Sequence, residues 1–173
     1  MPLLNHNESG ESFLMANTYS YHHTQPATLI VSIMTVTIIL TVYILGALGL
    51  VGWLVAIVGL EILGLYLFRS LTVVLDSQSL SFWFGPGFWR KGVVVTEIES
   101  VSEVRNHWYN GWGIRYFIAW GGRRGWLYNV SGFDAVEFKM KSGKHFRIGT
   151  DKPSDLARAV RSALQESQPL DLR

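Results

Sequence analysis

One apolar stretch constrains this chain more than any other feature. From Ala27 to Phe68 the only formally charged residue is Glu61. A single helix of that length would measure about 63 Å, roughly twice the hydrocarbon core of a bilayer. The stretch therefore predicts a hairpin of two transmembrane helices, 27–45 and 50–68, that reverses at the glycines Gly46, Gly49 and Gly52. The alternative is one tilted span with an overlong apolar flank.

Residues 1–26 are predicted to be a disordered tail because small polar residues are frequent among them. A cleaved signal peptide fits poorly, since no Lys or Arg precedes the apolar stretch and the stretch is too long for the apolar part of such a peptide. The stretch Met15-Ala16-Asn17 resembles an alternative translation start, and the sequence does not decide between Met1 and Met15.

The basic residues are distributed unevenly. All 15 Lys and Arg lie at or beyond Arg69, whereas residues 1–68 carry only acidic charges. Because basic residues stay on the cytoplasmic side of a membrane, the part from Arg69 onward is predicted to be cytoplasmic. We expect a multi-pass protein of the cell (inner) membrane. The hairpin puts the N-terminus in the cytoplasm too, whereas a single span would put it outside.

The second predicted helix has one face of small residues, Gly52, Ala56 and Gly59, where another helix can approach closely. Glu61 lies about 180° around the helix from Gly52. If the small face packs on the first helix, Glu61 points to lipid or to a second molecule, as an intramembrane contact. The alternative is a neutral, partly hydrated carboxyl near the cytoplasmic end of the helix.

The pattern after Phe68 changes from helical to alternating. Residues 69–168 are predicted to form a cytoplasmic all-β domain of about seven short strands, at 71–76, 79–84, 92–104, 114–120, 126–130, 135–141 and 145–148. A C-terminal helix follows, with Pro153 in its first turn and an apolar stripe of Leu156, Val160 and Leu164. This pattern predicts a small barrel plugged at one end by the helix, with residues 169–173 as a frayed tail.

Four stretches of the chain resemble those of a bacterial family, namely 84–89, 105–115, 125–132 and 147–151. The family is that of membrane-anchored proteins with a pleckstrin-homology-like (PH-like) domain, whose members are mostly uncharacterised. The resemblance spans roughly residues 19–165 and implies a two-helix membrane hairpin before a PH-like barrel. It also relates Tyr21–Pro26 to the short lead-in of the family. The sequence departs from the family at Tyr116–Arg124, and the resemblance implies no catalytic residue.

Signals for catalysis or for a metal site are weak in this sequence. Ser131 lacks the Gly-x-Ser-x-Gly elbow of a nucleophile, and the domain holds only two histidines, His107 and His145. His22 and His23 are adjacent and not at ligand spacing. The absence of Cys excludes disulfides, thiolate ligands and a cysteine nucleophile. We expect neither catalysis nor a cofactor.

Arginines and tryptophans are the candidate binding residues of the domain. Paired arginines can contact the phosphate of an anionic lipid, and indoles favour the membrane interface. A surface for anionic lipid or for a partner is therefore predicted at Arg115, Arg123, Arg124, Trp112 and Trp126. We do not expect the domain to bind nucleic acid, because its excess of basic residues is modest and because it is predicted to be tethered to a membrane.

Together these features predict a non-enzymatic interaction module that binds a protein segment or the anionic membrane surface, alone or as a homo-oligomer. A protein segment would add as a strand to an unpaired edge of the barrel. The alternative is an accessory subunit of a membrane enzyme or transporter, in which Glu61 contacts a partner helix.

Overall fold

The computed structural model describes residues 20–87, 89–119 and 121–167. Met15 and the predicted frayed tail lie outside the described residues. The helices are α1 (Thr28–Ala47), α2 (Val51–Phe68) and α3 (Pro153–Glu166). The strands are β1 (Tyr21–Pro26), β2 (Ser70–Leu75), β3 (Ser79–Phe84), β4 (Trp89–Val94), β5 (Ile98–Arg105), β6 (Gly113–Ile118), β7 (Arg124–Asn129), β8 (Asp134–Met140) and β9 (His145–Gly149). Two 3-10 turns lie at Val95–Glu97 and Trp108–Asn110.

The predicted reversal of the apolar stretch is confirmed. α1 and α2 are 20 and 18 residues long, and each is long and apolar enough to cross a membrane. The chain turns between them at Gly49, whose φ of 70° lies in the left-handed region that glycine adopts without strain. At about 1.5 Å per residue, each helix matches the roughly 30 Å hydrocarbon core of a bilayer.

The prediction that residues 1–26 form a disordered tail is wrong for Tyr21–Pro26. These residues are β1, which pairs antiparallel with β2 from Tyr21↔Leu75 to Pro26↔Ser70. The pairing satisfies the backbone of β2, which would otherwise be an open edge. Composition could not show this, because the partner strand lies beyond both apolar helices.

The helical hairpin is joined to the sheet without a linker. Only Ala27 separates β1 from α1, and only Arg69 separates α2 from β2. The amide of Ala27 donates a hydrogen bond to the carbonyl oxygen of Arg69 at 2.9 Å, and Ala27 is fully buried. The paired helices are therefore a direct continuation of the paired strands.

The strands form two sheets, ordered β1-β2-β3-β4 and β5-β8-β9-β7-β6. All pairs are antiparallel except β7 and β9, which are parallel. The predicted third strand, 92–104, is in fact two strands in different sheets, because the 3-10 turn Val95–Glu97 redirects the chain. Val95 in that turn is fully buried and anchors the crossing.

α3 closes the core between the sheets, as its apolar stripe predicted. Leu156, Ala157, Val160 and Ala163 are buried, and Leu164 packs against the same core. The sheets contribute mainly Leu, Val and Phe side chains, and the ring of Phe146 stacks on those of Phe82 and Phe138 within the cluster. The coarse prediction is confirmed: two apolar helices lie near the N-terminus, before β-sheets and a C-terminal helix.

The turn between β2 and β3 depends on the carboxylate of Asp76. It accepts hydrogen bonds from the amides of Gln78 and Ser79, at 2.8 and 2.6 Å, and from the Ser79 hydroxyl at 2.9 Å. Burial raises the pKa of Asp76, but these hydrogen bonds outweigh it and hold that pKa below its ordinary value. The charged form is therefore the one that stabilises the hairpin.

Asp76→Asn is expected to lower stability by about 1 kcal/mol at neutral pH, because the amide keeps an acceptor but loses the charge. Since the folded-state pKa of Asp76 is lowered, its contribution is complete above about pH 4 and is lost as pH falls through the folded-state value. The stabilities of the wild type and of Asp76→Asn should therefore become equal in acid. Thermal unfolding in mild detergent between neutral pH and pH 2 measures this, and a constant difference would contradict it.

Candidate functional site

A cleft of about 550 Å³ opens between the two sheets. We call it the β4 cleft. Its walls include Lys91 and Val93 of β4, Tyr116 of β6, Arg124 and Trp126 of β7, and Lys144 in the turn between β8 and β9. The sheets diverge here because β4 and β7 belong to different sheets and are not paired with each other.

β4 presents a free edge at this cleft. It is the last strand of its sheet, and among the described residues it is paired only with β3. Five of its six residues are exposed. The free edge of an exposed strand offers unpaired N–H and C=O groups to another extended segment. Lys91 in the same strand discourages indiscriminate pairing, as charged residues at sheet edges commonly do.

Basic and aromatic groups dominate the walls of the β4 cleft. Lys91, Arg124 and Lys144 line it with His145, whereas Glu97 is the one acidic residue among the described residues that line it. The rings of Tyr116 and Trp126 meet edge to face with centroids 5.7 Å apart, and both side chains are about half exposed. The cleft therefore suits an extended ligand with negative charge and some apolar surface.

The five residues predicted to form one binding surface lie in three places. Arg124 and Trp126 line the β4 cleft. Arg123 forms an ion pair with Glu137 at 3.3 Å, so its guanidinium is already engaged. Trp112 lies in the loop before β6, where its backbone carbonyl accepts a hydrogen bond from Nε of Arg115. The five residues therefore do not share one cleft: Trp112 and Arg124 lie at opposite ends of the β6–β7 hairpin, and the binding role of the five stays a prediction.

A buried ionic network lies beside the cleft and was not predicted. Glu137 is only 3 % exposed, and its Oε2 accepts from Nε and an Nη of Arg147, both at 2.7 Å. Arg147 also donates to Oδ1 of Asn106 at 3.0 Å, and its guanidinium lies 4.0 Å from the ring centroid of Phe117. His145, which lines the cleft, approaches the other Glu137 oxygen at 3.2 Å. The network joins β8 and β9 to the β6–β7 hairpin.

Strand alternation alone would place Glu137 and Arg147 on a solvated face. Their neighbours Val136, Phe138, Phe146 and Ile148 point into the core. The one signal in the sequence was the pairing of opposite charges across a short hairpin, which is also common on exposed surfaces. The burial comes from the β6–β7 hairpin, whose position the sequence did not indicate.

Glu61 faces α1, which reverses the expected arrangement of the two helices. The hydroxyl of Thr41 donates a hydrogen bond to Oε1 of Glu61 at 3.2 Å. Oε2 is shielded and has no hydrogen-bond partner among the described residues. A carboxyl group in an apolar helix is stabilised by a hydrogen bond from a nearby hydroxyl. This hydrogen bond favours a position of Glu61 between the two helices.

The small residues Gly52, Ala56 and Gly59 lie on the opposite, exposed face of α2. A Cβ added at Gly52 or Gly59 would meet no atom of the described chain within 4 Å. The small residue at the helix pair is instead Gly64, where an added Cβ would lie 3.1 Å from Cε of Met34. Packing of the three small residues on a further helix stays a prediction.

Within the described ranges, no three His, Asp or Glu side chains are grouped as a metal site requires. Comparison with known proteins gives no family model that matches the chain and no curated protein that is similar to it.

Proposed function

We propose that this protein is a membrane-anchored interaction module that binds a protein segment in the β4 cleft and does not catalyse a reaction. In this proposal α1 and α2 span the membrane and the β domain is cytoplasmic. The observation that carries the proposal is the free edge of β4 beside basic and aromatic walls. Extended peptides bind such edges through their main chain, and the adjoining side chains set specificity.

The strand arrangement supports a PH-like identity for the domain. Without the β6–β7 hairpin, the sheets would have four and three strands, closed by α3. Seven strands closed by a C-terminal helix are compatible with the PH-like barrel that the resemblance implies, but they are not the seven strands predicted from the sequence, which included β6 and β7, joined β4 to β5 and omitted β1. The hairpin itself contains most of 116–124, the stretch where the sequence departs from the family.

The distribution of charge supports a cytoplasmic domain at the cell (inner) membrane. Every Lys and Arg lies at or after Arg69, the residue that follows α2. Since basic flanks are retained in the cytoplasm, both ends of the hairpin are proposed to lie on that side.

An acidic peptide should bind the β4 cleft more tightly than a basic one. The probe is a fluorescein-labelled octapeptide in which Glu and Val alternate, compared with its Lys and Val counterpart. It is titrated against the full chain in phosphatidylcholine nanodiscs, and binding is followed by fluorescence anisotropy. We expect the acidic peptide to bind at least about tenfold more tightly, because three cations face it across one acid.

The matched variants are Arg124→Glu in the cleft and Arg158→Glu on α3, which make the same change of charge. Arg158 is exposed and lies outside the cleft lining. Arg124→Glu should weaken binding of the acidic peptide about tenfold, whereas Arg158→Glu should change it less than about twofold. Equal losses in the two variants, or no saturable binding, would overturn the proposal. Binding to anionic vesicles without any peptide binding would favour the membrane-surface alternative.

A further inference from the structure

The loop between β7 and β8 lies beside the first turn of α1. The hydroxyls of Thr28 and Ser131 are 3.2 Å apart, and Nε2 of Gln25 donates to the carbonyl oxygen of Ser131 at 3.1 Å. Thr28 is the first residue of the apolar helix. Ser131 and its neighbours therefore lie at the level where the predicted membrane span begins.

Aromatic side chains of the segment between β5 and β6 cluster with Phe133 of this loop. Nε1 of Trp112 donates to the carbonyl oxygen of Gly132 at 3.2 Å, and the Trp112 ring lies 6.1 Å from that of Phe133. The carbonyl oxygen of Phe133 accepts from the amide of Asn106 at 2.6 Å, and this places the following 3-10 turn nearby. In that turn Trp108 is 77 % exposed and Tyr109 is 63 % exposed.

We call Trp108, Tyr109, Trp112 and Phe133 the aromatic collar. Large exposed aromatics on adjoining loops are unusual on a surface that meets only water. Trp and Tyr are enriched at the membrane interface, because their rings are apolar and their N–H or O–H groups can still be hydrated. Arg105 adjoins the collar and lines a cavity of about 300 Å³ with Trp108 and Phe133, so a cation is available for a lipid phosphate.

The short connections keep the collar near the lipid. One residue joins β1 to α1 and one joins α2 to β2, so the domain cannot move away from the helices on a flexible tether. The headgroup layer on each side of a bilayer is about 5–8 Å thick. The β7–β8 loop, which is hydrogen-bonded to Thr28 through Ser131, lies within that distance of the hydrocarbon, and Trp112 and Asn106 are hydrogen-bonded to that loop.

We propose that the aromatic collar inserts into the phospholipid interface of the membrane that the hairpin spans, and so sets the orientation of the β domain on that membrane. The occupant is the lipid headgroup layer, with Arg105 facing phosphate. This inference rests on the membrane-anchored part of the proposed function and does not depend on the β4 cleft.

The absence of native Cys allows the collar to be probed with a single label. His107→Cys places an environment-sensitive fluorophore beside Trp108 without removing a collar residue. Ser142→Cys places it in the exposed turn between β8 and β9, at the far end of β8 from Phe133. Leu40→Cys places it within α1. Each full-length protein is reconstituted in phosphatidylcholine–phosphatidylglycerol nanodiscs, and quenching by headgroup- or acyl-chain-spin-labelled lipid is measured.

We expect headgroup-labelled lipid to quench the label at position 107 about threefold more than the label at position 142. Adding Trp108→Ser and Tyr109→Ser should remove most of that difference. Equal quenching at positions 107 and 142, together with acyl-chain quenching at position 40, would overturn the proposed insertion of the collar. The proposal that the hairpin spans the membrane would remain. If acyl-chain-labelled lipid does not quench the label at position 40, the proposal that the hairpin spans the membrane is overturned, and the proposed insertion of the collar is overturned with it.

Discussion

Arg147→Met is expected to lower the free energy of unfolding by about 3 kcal/mol, the lower end of the cost of removing one partner of a buried ion pair, because Glu137 keeps its longer contact with the half-exposed Arg123. Glu137 is 3 % exposed and Arg147 is 6 % exposed, so water cannot replace the guanidinium. The substitution also removes the donor to Asn106, whose Nδ2 already has no hydrogen-bond partner among the described residues. Urea unfolding of the full chain in mild detergent, followed by tryptophan fluorescence, measures the loss.

The control for Arg147→Met is the double variant Glu137→Met with Arg147→Met. Replacing both partners of a buried ion pair by apolar groups is often nearly neutral, so most of the lost stability should return. Arg147→Lys should fall between the wild type and Arg147→Met, because an ammonium keeps the charge but cannot make the forked contact with Glu137. A double variant as unstable as Arg147→Met would show that the ionic network is not the cause.

Gly125→Ala is expected to cost about 3 kcal/mol, because it adds a methyl group where there is no room for one. An added Cβ would overlap the carbonyl oxygen of His145, the register partner of Gly125 in the parallel pair β7–β9. Phe117 lies on the same side, 3.3 Å from that position. The backbone of one strand must move, so the loss should appear as faster amide hydrogen exchange in β7 and β9, measured by mass spectrometry.

Gly92→Ala is the matched control for Gly125→Ala, since both glycines lie inside strands. A Cβ at Gly92 would lie 3.6 Å from the hydroxyl of Ser81, an ordinary contact. Its effect on stability should stay within about 0.5 kcal/mol, as for most exposed substitutions. A loss at Gly92 as large as that at Gly125 would mean that glycine itself, rather than the close approach of β7 and β9, is what the strands require.

Local features of the sequence predicted the helices and most of the strands. The apolar stretch and its glycines indicated α1, α2 and the turn between them, because a bilayer accepts only spans of limited length. Alternation indicated the strands of the domain, and spacing of apolar residues every four positions indicated α3. Each of these signals is contained within a short window of residues.

Pairing between distant segments was not visible in any such window. Tyr21–Pro26 resembles an ordinary polar tail until β2 is placed beside it, on the other side of the hairpin. Glu61 faces α1, where the hydroxyl of Thr41 donates a hydrogen bond to its carboxyl group. The β6–β7 hairpin joins β9 in parallel, and this placement buries Glu137 with Arg147.

The sequence by itself therefore determined the kinds of element, their order and the charge asymmetry, since these depend on local composition and periodicity. The tertiary structure alone decided which strand edge stays free, which charges are buried and which aromatics lie beside the start of α1. The physical reason is that burial and strand pairing depend on the neighbours a residue acquires on folding. For the β4 cleft and the aromatic collar, those neighbours come from segments far apart in the chain.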